Sequence, residues 1–257
     1  MSSRQRSSRN LNVAETISEC VCLVHYHEIG LKGRNRSTFE NQLVTNIRHV
    51  LGKLPDIDVR RIPGHVLVTT SDASAVPGIA RQVLRVPGVA RASLAYRCGL
   101  DENAYCAAAI RALGEAGKFQ TFKVHAHRSS TNYELHTLDI NRLVGAKLCE
   151  QFPDKKVDVH HPDVTVYVVV NQASVFVYAL TERGVGGLPV GSPGTVVTLL
   201  SPGFASPVAT WLVGRRGAVC VPVPFPGPSI TPSTMEVPPP GMPPLMCPSR
   251  ARCLRLR

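Results

Sequence analysis

The sequence predicts a chain of mixed α+β and α/β domains. Short β-rich apolar runs alternate with segments in which apolar residues recur every three or four positions, as on one face of a helix. Pro-Gly pairs at 63–64 and 87–88 separate these segments and indicate turns. Of the 257 residues, 44% are hydrophobic, which is enough for two or three small cores.

The first of these domains is predicted over residues 20–73. A strand at 20–25 is followed by a turn at 28–36 and by a helix that Ser37 or Thr38 caps. Two strands, at 58–61 and 65–70, come next. The order β-α-β-β is typical of a small ferredoxin-like domain. The apolar face of the helix consists of Phe39, Leu43, Ile47, Val50 and Leu51.

A second domain is predicted over residues 74–184. Helical spacing covers 74–84, and a strand follows at 89–95. The remaining predicted elements are helices at 103–116 and 137–152 and strands at 119–126, 164–170 and 174–180. Such alternation favours an α/β layer structure.

The third segment, 185–220, contains a predicted strand at 195–200, a loop at 201–206 and a helix at 207–216. Residues 221–257 hold 11 of the 21 prolines and a single acid, so they are predicted to be a disordered Pro/Arg-rich tail. Residues 1–19 are predicted to be a second disordered tail. Residues 184–214 carry no charge, but their glycines and prolines exclude a membrane-spanning helix, and no membrane association is expected.

The net charge of +11 invites a nucleic-acid interpretation, but its distribution weakens the inference. Residues 1–10 contribute +3 and residues 201–257 contribute +5, which leaves +3 for the rest. The eight cysteines show no zinc-ligand spacing and are interpreted as reduced cytosolic thiols. His160-His161 has no third ligand nearby and indicates a surface turn, so no metal site is predicted.

Three segments carry a specific resemblance. The first is His25-Tyr26-His27-Glu28-Ile29-Gly30-Leu31-Lys32-Gly33-Arg34-Asn35-Arg36. The second comprises 121–128, 139–145, 157–159 and 162–164, and the third is Gly184-Val185-Gly186-Gly187-Leu188-Pro189-Val190-Gly191. In order and spacing these segments resemble the tRNA 4-thiouridine synthetase (tRNA sulfurtransferase) family, which also serves thiamine biosynthesis.

The resemblance implies a ferredoxin-like domain, a THUMP domain at 74–184, and a fragment of a PP-loop (adenine nucleotide alpha hydrolase-like) domain at 185–220. It implies tRNA as the partner, ATP with Mg²⁺ as the cofactor, a cysteine desulfurase as the sulfur donor and a cytoplasmic location. In this family ATP adenylates the C4 oxygen of a uridine, and a cysteine persulfide then displaces AMP.

Two basic clusters are candidates for RNA contact. Lys32, Arg34 and Arg36 lie on a glycine-punctuated turn where cations can meet phosphates. Lys123, His125 and Arg128 are predicted to form a second surface, since alternate strand residues share a face. The alternative for each is structural: a solvated loop for the first cluster and the wet face of a half-buried strand for the second.

The nucleotide loop departs from the family pattern S-G-G-x-D-S, because it is Ser201-Pro202-Gly203-Phe204-Ala205-Ser206. Pro202 removes a backbone donor from the phosphate nest, and Ala205 stands where the family has an acid. Leu199, Leu200, Ser201, Gly203 and Ser206 still match the positions that hold the nucleotide in the family. No catalytic residue is assigned, and the chain is expected to be inactive by itself.

Three alternatives remain beside an impaired sulfurtransferase. The chain could be a non-catalytic, stand-alone tRNA-binding module. A THUMP-linked methyltransferase is disfavoured, since no methyl-donor motif is present. The composition change near Val221 also suggests translation out of frame, a hypothesis that the coding DNA would test.

Overall fold

The computed structural model describes residues 19–52, 54–129, 133–201 and 203–224. These divide into two compact units. The N-terminal unit comprises 21–94 together with 181–224, and the middle unit comprises 19–20 together with 95–180. The predicted tails at 1–18 and 225–257 lie outside the described residues.

The N-terminal unit has the β-α-β-β order predicted for its first part, completed by a further helix and strand. The elements are β1 (Glu19–His25), α1 (Arg36–Leu51), β2 (Ile57–Ile62), β3 (His65–Thr70), α2 (Val76–Val83) and β4 (Arg91–Cys98). The sheet runs in the order β2-β3-β1-β4, with β3 antiparallel to both β1 and β2. That order is the ferredoxin-like arrangement.

Helix α1 forms because its apolar residues recur on one face, and Leu43, Ile47 and Leu51 are fully buried there. Helix α2 has Pro77 in its first turn, where a backbone N–H would have no partner within the helix and its absence costs nothing. Both α2 and the first half of β4 belong to the N-terminal unit, whereas the sequence placed this domain's end at residue 73. The spacing of apolar residues identifies elements, but only the sheet order assigns them to a domain.

The middle unit contains α3 (Glu102–Gly114), β5 (Thr121–Arg128), α4 (Thr137–Gln151), β6 (Lys156–Val157), β7 (Val164–Val170) and β8 (Val175–Tyr178). Its sheet order is β8-β7-β5-β6, with β5 parallel to β7 and β7 antiparallel to β8. The carboxylate of Asp101 caps α3 by accepting the N–H of Ala104 at 3.0 Å. Ile140, Val144 and Leu148 bury one face of α4.

The last described segment is a β-α-β unit within the N-terminal unit. Strands β10 (Thr195–Leu200) and β11 (Val219–Pro224) are parallel and joined by α5 (Ala205–Arg215), and a short β9 (Thr181–Arg183) pairs with β4. Helix α5 begins two residues before the predicted Pro207, since a proline is tolerated in a first turn. The prediction of disorder from residue 221 is wrong for 221–224, which lie in β11.

Among the described residues, none of the helices is long and apolar enough to cross a bilayer.

Candidate nucleic-acid interface and nucleotide loop

The basic turn between β1 and α1 is ordered as two short 3₁₀ helices, Glu28–Leu31 and Gly33–Asn35. Ile29 is fully buried and anchors the turn. Gly33 has φ +51°, a left-handed conformation that a glycine adopts at little cost. The sequence predicted a turn here, and the structure forms it from two 3₁₀ helices anchored by Ile29.

The three predicted cations of this turn have different environments. Arg34 is exposed, and its guanidinium forms no hydrogen bond or ion pair with the part of the chain that is described. The ammonium of Lys32 lies 5.0 Å from the centre of the Phe39 ring, a cation–π contact that leaves it half-exposed. These two side chains therefore present charge to an approaching anion.

Arg36 instead takes part in an intramolecular network. Its Nε donates to Glu40 Oε1 at 2.7 Å and its Nη2 donates to the Tyr26 hydroxyl at 2.9 Å. The Tyr26 hydroxyl in turn donates to Glu40. Arg61 lies 3.5 Å from the other oxygen of Glu40. The guanidinium of Arg36, which is the first residue of α1, thus ties Tyr26 at the start of the basic turn to this helix.

Burial, followed by the hydrogen bond to Glu40, raises the pKa of Tyr26, so its hydroxyl stays protonated near neutral pH. Sequence reasoning missed Tyr26, Glu40 and Arg61 as supports of the turn. One signal was available, because Arg36 and Glu40 stand four residues apart on a helix.

The second predicted cluster, on β5, is divided between two faces. Lys123 and His125 point to one face, with Lys123 half-exposed and His125 exposed, whereas Phe122 and Ala126 are buried on the other. The ring of His125 meets the edge of Tyr167, with ring centres 5.6 Å apart, and Tyr167 stacks on Tyr178 at 5.0 Å. Sequence reasoning missed Tyr167, which forms a cross-strand pair with His125.

The grouping of Arg128 with Lys123 and His125 is wrong. Arg128 stands three positions after His125 in β5, and an odd offset places it on the opposite face of the strand. Its Nη1 donates to the carbonyls of Tyr133 and Leu135, each at 2.8 Å. Arg128 therefore holds the chain that leads into α4.

Several polar residues of the resemblance segments satisfy backbone groups. The amide oxygen of Asn141 accepts the N–H of Ala126 at 2.7 Å. The carboxylate of Asp163 accepts the N–H groups of Gln120 and Thr121, and these bonds lower its pKa. These residues of the resemblance segments therefore stabilise the fold of the middle unit.

His160 and His161 form the predicted surface turn. Both are exposed, and their backbone N–H groups donate to the carboxylate of Asp158 at 2.8 and 2.9 Å. Within the described ranges, no cluster of three His, Cys, Asp or Glu side chains could hold a metal ion.

The nucleotide loop joins β10 to α5, as the resemblance implies. Leu199 is 62% exposed and Leu200 is half-buried at the end of β10, and Ser201 and Gly203 are exposed. Pro202 lies outside the described residues. The hydroxyl of Ser206 accepts the N–H of Ser201 at 2.9 Å and donates to the Ser201 carbonyl at 3.2 Å.

The described loop residues do not fit a nucleotide with its metal ion. The N–H of Ser201 is taken by Ser206, so it is not available to a phosphate oxygen. The first turn of α5 carries no acidic residue, and hence no carboxylate for Mg²⁺. Its N-cap is Phe204, which forms no side-chain cap and is 87% exposed.

Among the described cysteines, Cys220 is the one that follows the loop in the chain, and its environment does not activate the thiol. Cys220 is buried in β11, and burial raises its pKa. Cys247 and Cys253 lie outside the described residues.

Two family models match the chain. The ThiI ferredoxin-like domain matches residues 21–93, and the THUMP domain matches residues 107–180. The first range agrees with the 21–94 portion of the N-terminal unit.

Curated relatives carry the name "Probable tRNA sulfurtransferase". The protein of Thermoanaerobacter pseudethanolicus is 34% identical over 212 residues, which covers 82% of this chain and 54% of the relative. That of Alkaliphilus oremlandii is 37% identical over 204 residues, covering 77% and 51%. The chain thus spans about half the length of the curated relatives it matches.

Solved structures agree with these matches. A 4-thiouridine synthetase in complex with RNA and bound ATP is 32% identical with a TM-score of 0.70, over 82% of this chain and 54% of that one. PH1313 from Pyrococcus horikoshii is 28% identical with a TM-score of 0.73, over 82% of this chain and 69% of that one.

Proposed function

Since the chain belongs, through its ThiI ferredoxin-like and THUMP domains, to the tRNA sulfurtransferase family, we propose that it binds tRNA without carrying out thiolation by itself. The observation that carries this proposal is the 3₁₀-helical basic turn, from which Lys32 and Arg34 present charge. The RNA complex of the 32% identical 4-thiouridine synthetase supports the choice of ligand.

The geometry suits phosphate contact. The Tyr26–Arg36–Glu40 network orders the turn before RNA arrives, so binding loses less conformational entropy there. Each phosphate that a free cation neutralises releases counterions, which makes affinity depend on salt. His125 and Lys123 on the middle unit are the second proposed contact, in which the imidazole can stack on an unpaired base.

Adenylation is the step that the loop does not support. In the family the loop would cradle the pyrophosphate of ATP, but here one donor is engaged by Ser206 and the carboxylate is missing. Residual nucleotide binding at Leu199, Leu200, Ser201, Gly203 and Ser206 therefore stays a prediction outside this proposal. Transfer of sulfur from a cysteine desulfurase and a role in thiamine synthesis are not proposed for this chain by itself. A cytoplasmic location is part of the proposal, because tRNA serves translation there.

Binding is tested by fluorescence anisotropy of labelled tRNA with the full chain over a range of KCl concentrations. Arg34→Ala should weaken binding about eightfold near 0.1 M salt and reduce the slope of log affinity against log salt by about 1. Arg34→Lys should retain most of the slope, because it keeps the charge.

Arg81→Ala is the matched control, since Arg81 is an exposed arginine of the same unit. Equal losses in the Arg34 and Arg81 variants would show that only net charge matters and would refute a site at the turn. No affinity at low salt would refute tRNA binding. Thiolation is assayed separately with ATP, cysteine and a desulfurase, and 4-thiouridine formed at a rate typical of the family would contradict the non-catalytic part.

A further inference from the structure

Two arginines stand directly opposite each other on neighbouring strands of the N-terminal unit. Arg91 of β4 is the cross-strand partner of Arg183 of β9, and both side chains are exposed. Directly opposite residues of an antiparallel pair point to the same face of the sheet, with Cβ atoms about 5 Å apart. Two positive charges therefore lie side by side, an arrangement that destabilises a strand pair.

Within the described part of the chain, no carboxylate neutralises this Arg91–Arg183 pair. Neither guanidinium forms a hydrogen bond or an ion pair with the residues that are described. Glu182 of β9 points to the opposite face, since its cross-strand partner is Ala92. Arg97, near the other end of β4, has a carboxylate partner, because it lies 3.2 Å from Glu19. The Arg91–Arg183 pair thus leaves two cations available to an anion.

The backbone that carries the pair is held in place by contacts on both strands. The Ser93 and Thr181 hydroxyl oxygens, in the next pair on the same face, lie 2.8 Å apart and support the alignment of β4 with β9. The N–H of Gly184, directly after β9, donates to the Ala90 carbonyl at 2.9 Å. The strands are therefore ordered before an anion arrives, which lowers the entropic cost of binding.

The pair lies at the end of β1 from which the basic turn begins. Strand β4 is next to β1 in the sheet, and the N–H of Ala90 donates to the carbonyl of His25 at 2.8 Å. Burial, and then the charges of His65 and Arg91, lower the pKa of His25, so the field of Arg91 reaches this end of β1. His25 ends β1, and the turn begins shortly after it at Glu28. The pair and the basic turn therefore share one end of the sheet.

We propose that Arg91 and Arg183 together bind one phosphate group. A guanidinium presents its N–H groups as a planar fork that matches two oxygens of a phosphate, and two forks can share one anion. The negative charge between them offsets the repulsion that the two cations otherwise exert on each other.

The source of this phosphate is the backbone of tRNA, an identification that rests on the proposed function and on the position at the same end of the sheet as the basic turn. A small phosphate ion offers the same oxygens and is the other possible source. Separate measurements with each ligand distinguish the two.

Fluorescence anisotropy of labelled tRNA with the full chain tests the RNA source. Arg91→Ala/Arg183→Ala should weaken binding about eightfold near 0.1 M KCl and reduce the slope of log affinity against log salt by about 1, as the loss of one phosphate contact does. Arg60→Ala/Arg81→Ala is the matched control, because both are exposed arginines of the same unit and the charge change is the same. The control should weaken binding less than about twofold, since salt screens distant charges. Arg91→Lys/Arg183→Lys should retain most of the slope, because it keeps both charges.

Thermal unfolding without RNA tests the site with inorganic phosphate. For a dissociation constant on the order of 5 mM, about 20 mM phosphate should raise the Tm of the wild-type chain by about 2 °C relative to chloride of equal ionic strength. Arg91→Ala/Arg183→Ala should lose this shift, and the Arg60/Arg81 control should keep it. The Tm of the Arg91/Arg183 variant in chloride should not fall, because the substitution removes a like-charge pair.

The two measurements together decide the proposal. A loss of tRNA affinity in the Arg91/Arg183 variant, but not in the control, supports the site with RNA as its source of phosphate. Unchanged tRNA affinity with a lost phosphate shift supports the site with a small phosphate ion as its occupant. A variant that matches the control in both measurements overturns the proposal. If the wild-type chain does not bind tRNA, the proposed function fails, and the phosphate shift still decides whether the site exists.

Discussion

A buried histidine makes the stability of the N-terminal unit depend on pH. His25 ends β1, and its Nε2 lies 2.9 Å from the hydroxyl of Ser93, which is itself fully buried. The ring packs edge-to-face on His65 with centres 4.8 Å apart. Burial, followed by the charges of His65 and Arg91, lowers the pKa of His25 to about 3. His25→Gln removes the titration and retains a polar group for Ser93.

The direction in which stability changes with pH follows from proton binding. An unfolded histidine has a pKa near 6.5, so as pH falls the unfolded state takes up a proton that folded His25 does not. The stability that neutral His25 contributes is therefore fully present above about pH 6.5 and is lost progressively as pH falls towards 3. At pH 5 the loss is about 2 kcal/mol, from about 1.4 kcal/mol per unit over 1.5 units. Any folded pKa well below 5 gives nearly the same figure.

Urea unfolding of the wild-type chain and of His25→Gln between pH 7.5 and 5 measures the effect. Titrating groups remote from His25 are common to both proteins, so they cancel in the difference between the two free energies of unfolding. The double variant His25→Gln/His65→Gln, compared with His65→Gln, removes the coupling to His65. That difference should shift by about 2 kcal/mol in favour of the Gln variant at the acidic end. A difference that stays constant across this range would refute the reasoning, because His25 would then bind its proton equally well in both states.

Two further predictions concern stability. Gly187→Ala should lower the free energy of unfolding by more than about 1 kcal/mol, since φ is +79° and a Cβ would stand 2.1 Å from the carbonyl oxygen at the end of α5. In Gly78→Ala the added Cβ on α2 meets no atom within 4 Å, so the free energy of unfolding should rise by about 0.5 to 1 kcal/mol. Equal losses of stability in the two variants would contradict the contact at Gly187. Arg128→Ala should cost about 1.5 to 3 kcal/mol through its two carbonyl contacts, whereas Lys123→Ala should cost little, and urea unfolding distinguishes them.

Periodicity in the sequence was sufficient to locate the main helices and strands. Leu43, Ile47 and Leu51 are spaced as a helical face, and burial of that face is what stabilises α1. Short elements such as β6 and β9 were not predicted, because two or three residues are too few to show a period. These strands form only through pairing with β5 and β4.

The sequence by itself determined the family resemblance, the β-α-β-β start, the basic turn and the departures at Pro202 and Ala205, because these depend on residue type and local spacing. Tertiary structure decided what each cation does. Arg34 is free within the described residues, while Arg36 and Arg128 are held by Glu40 and by two carbonyls. The partners of a long, flexible side chain come from segments brought together by folding, and so local sequence does not specify them.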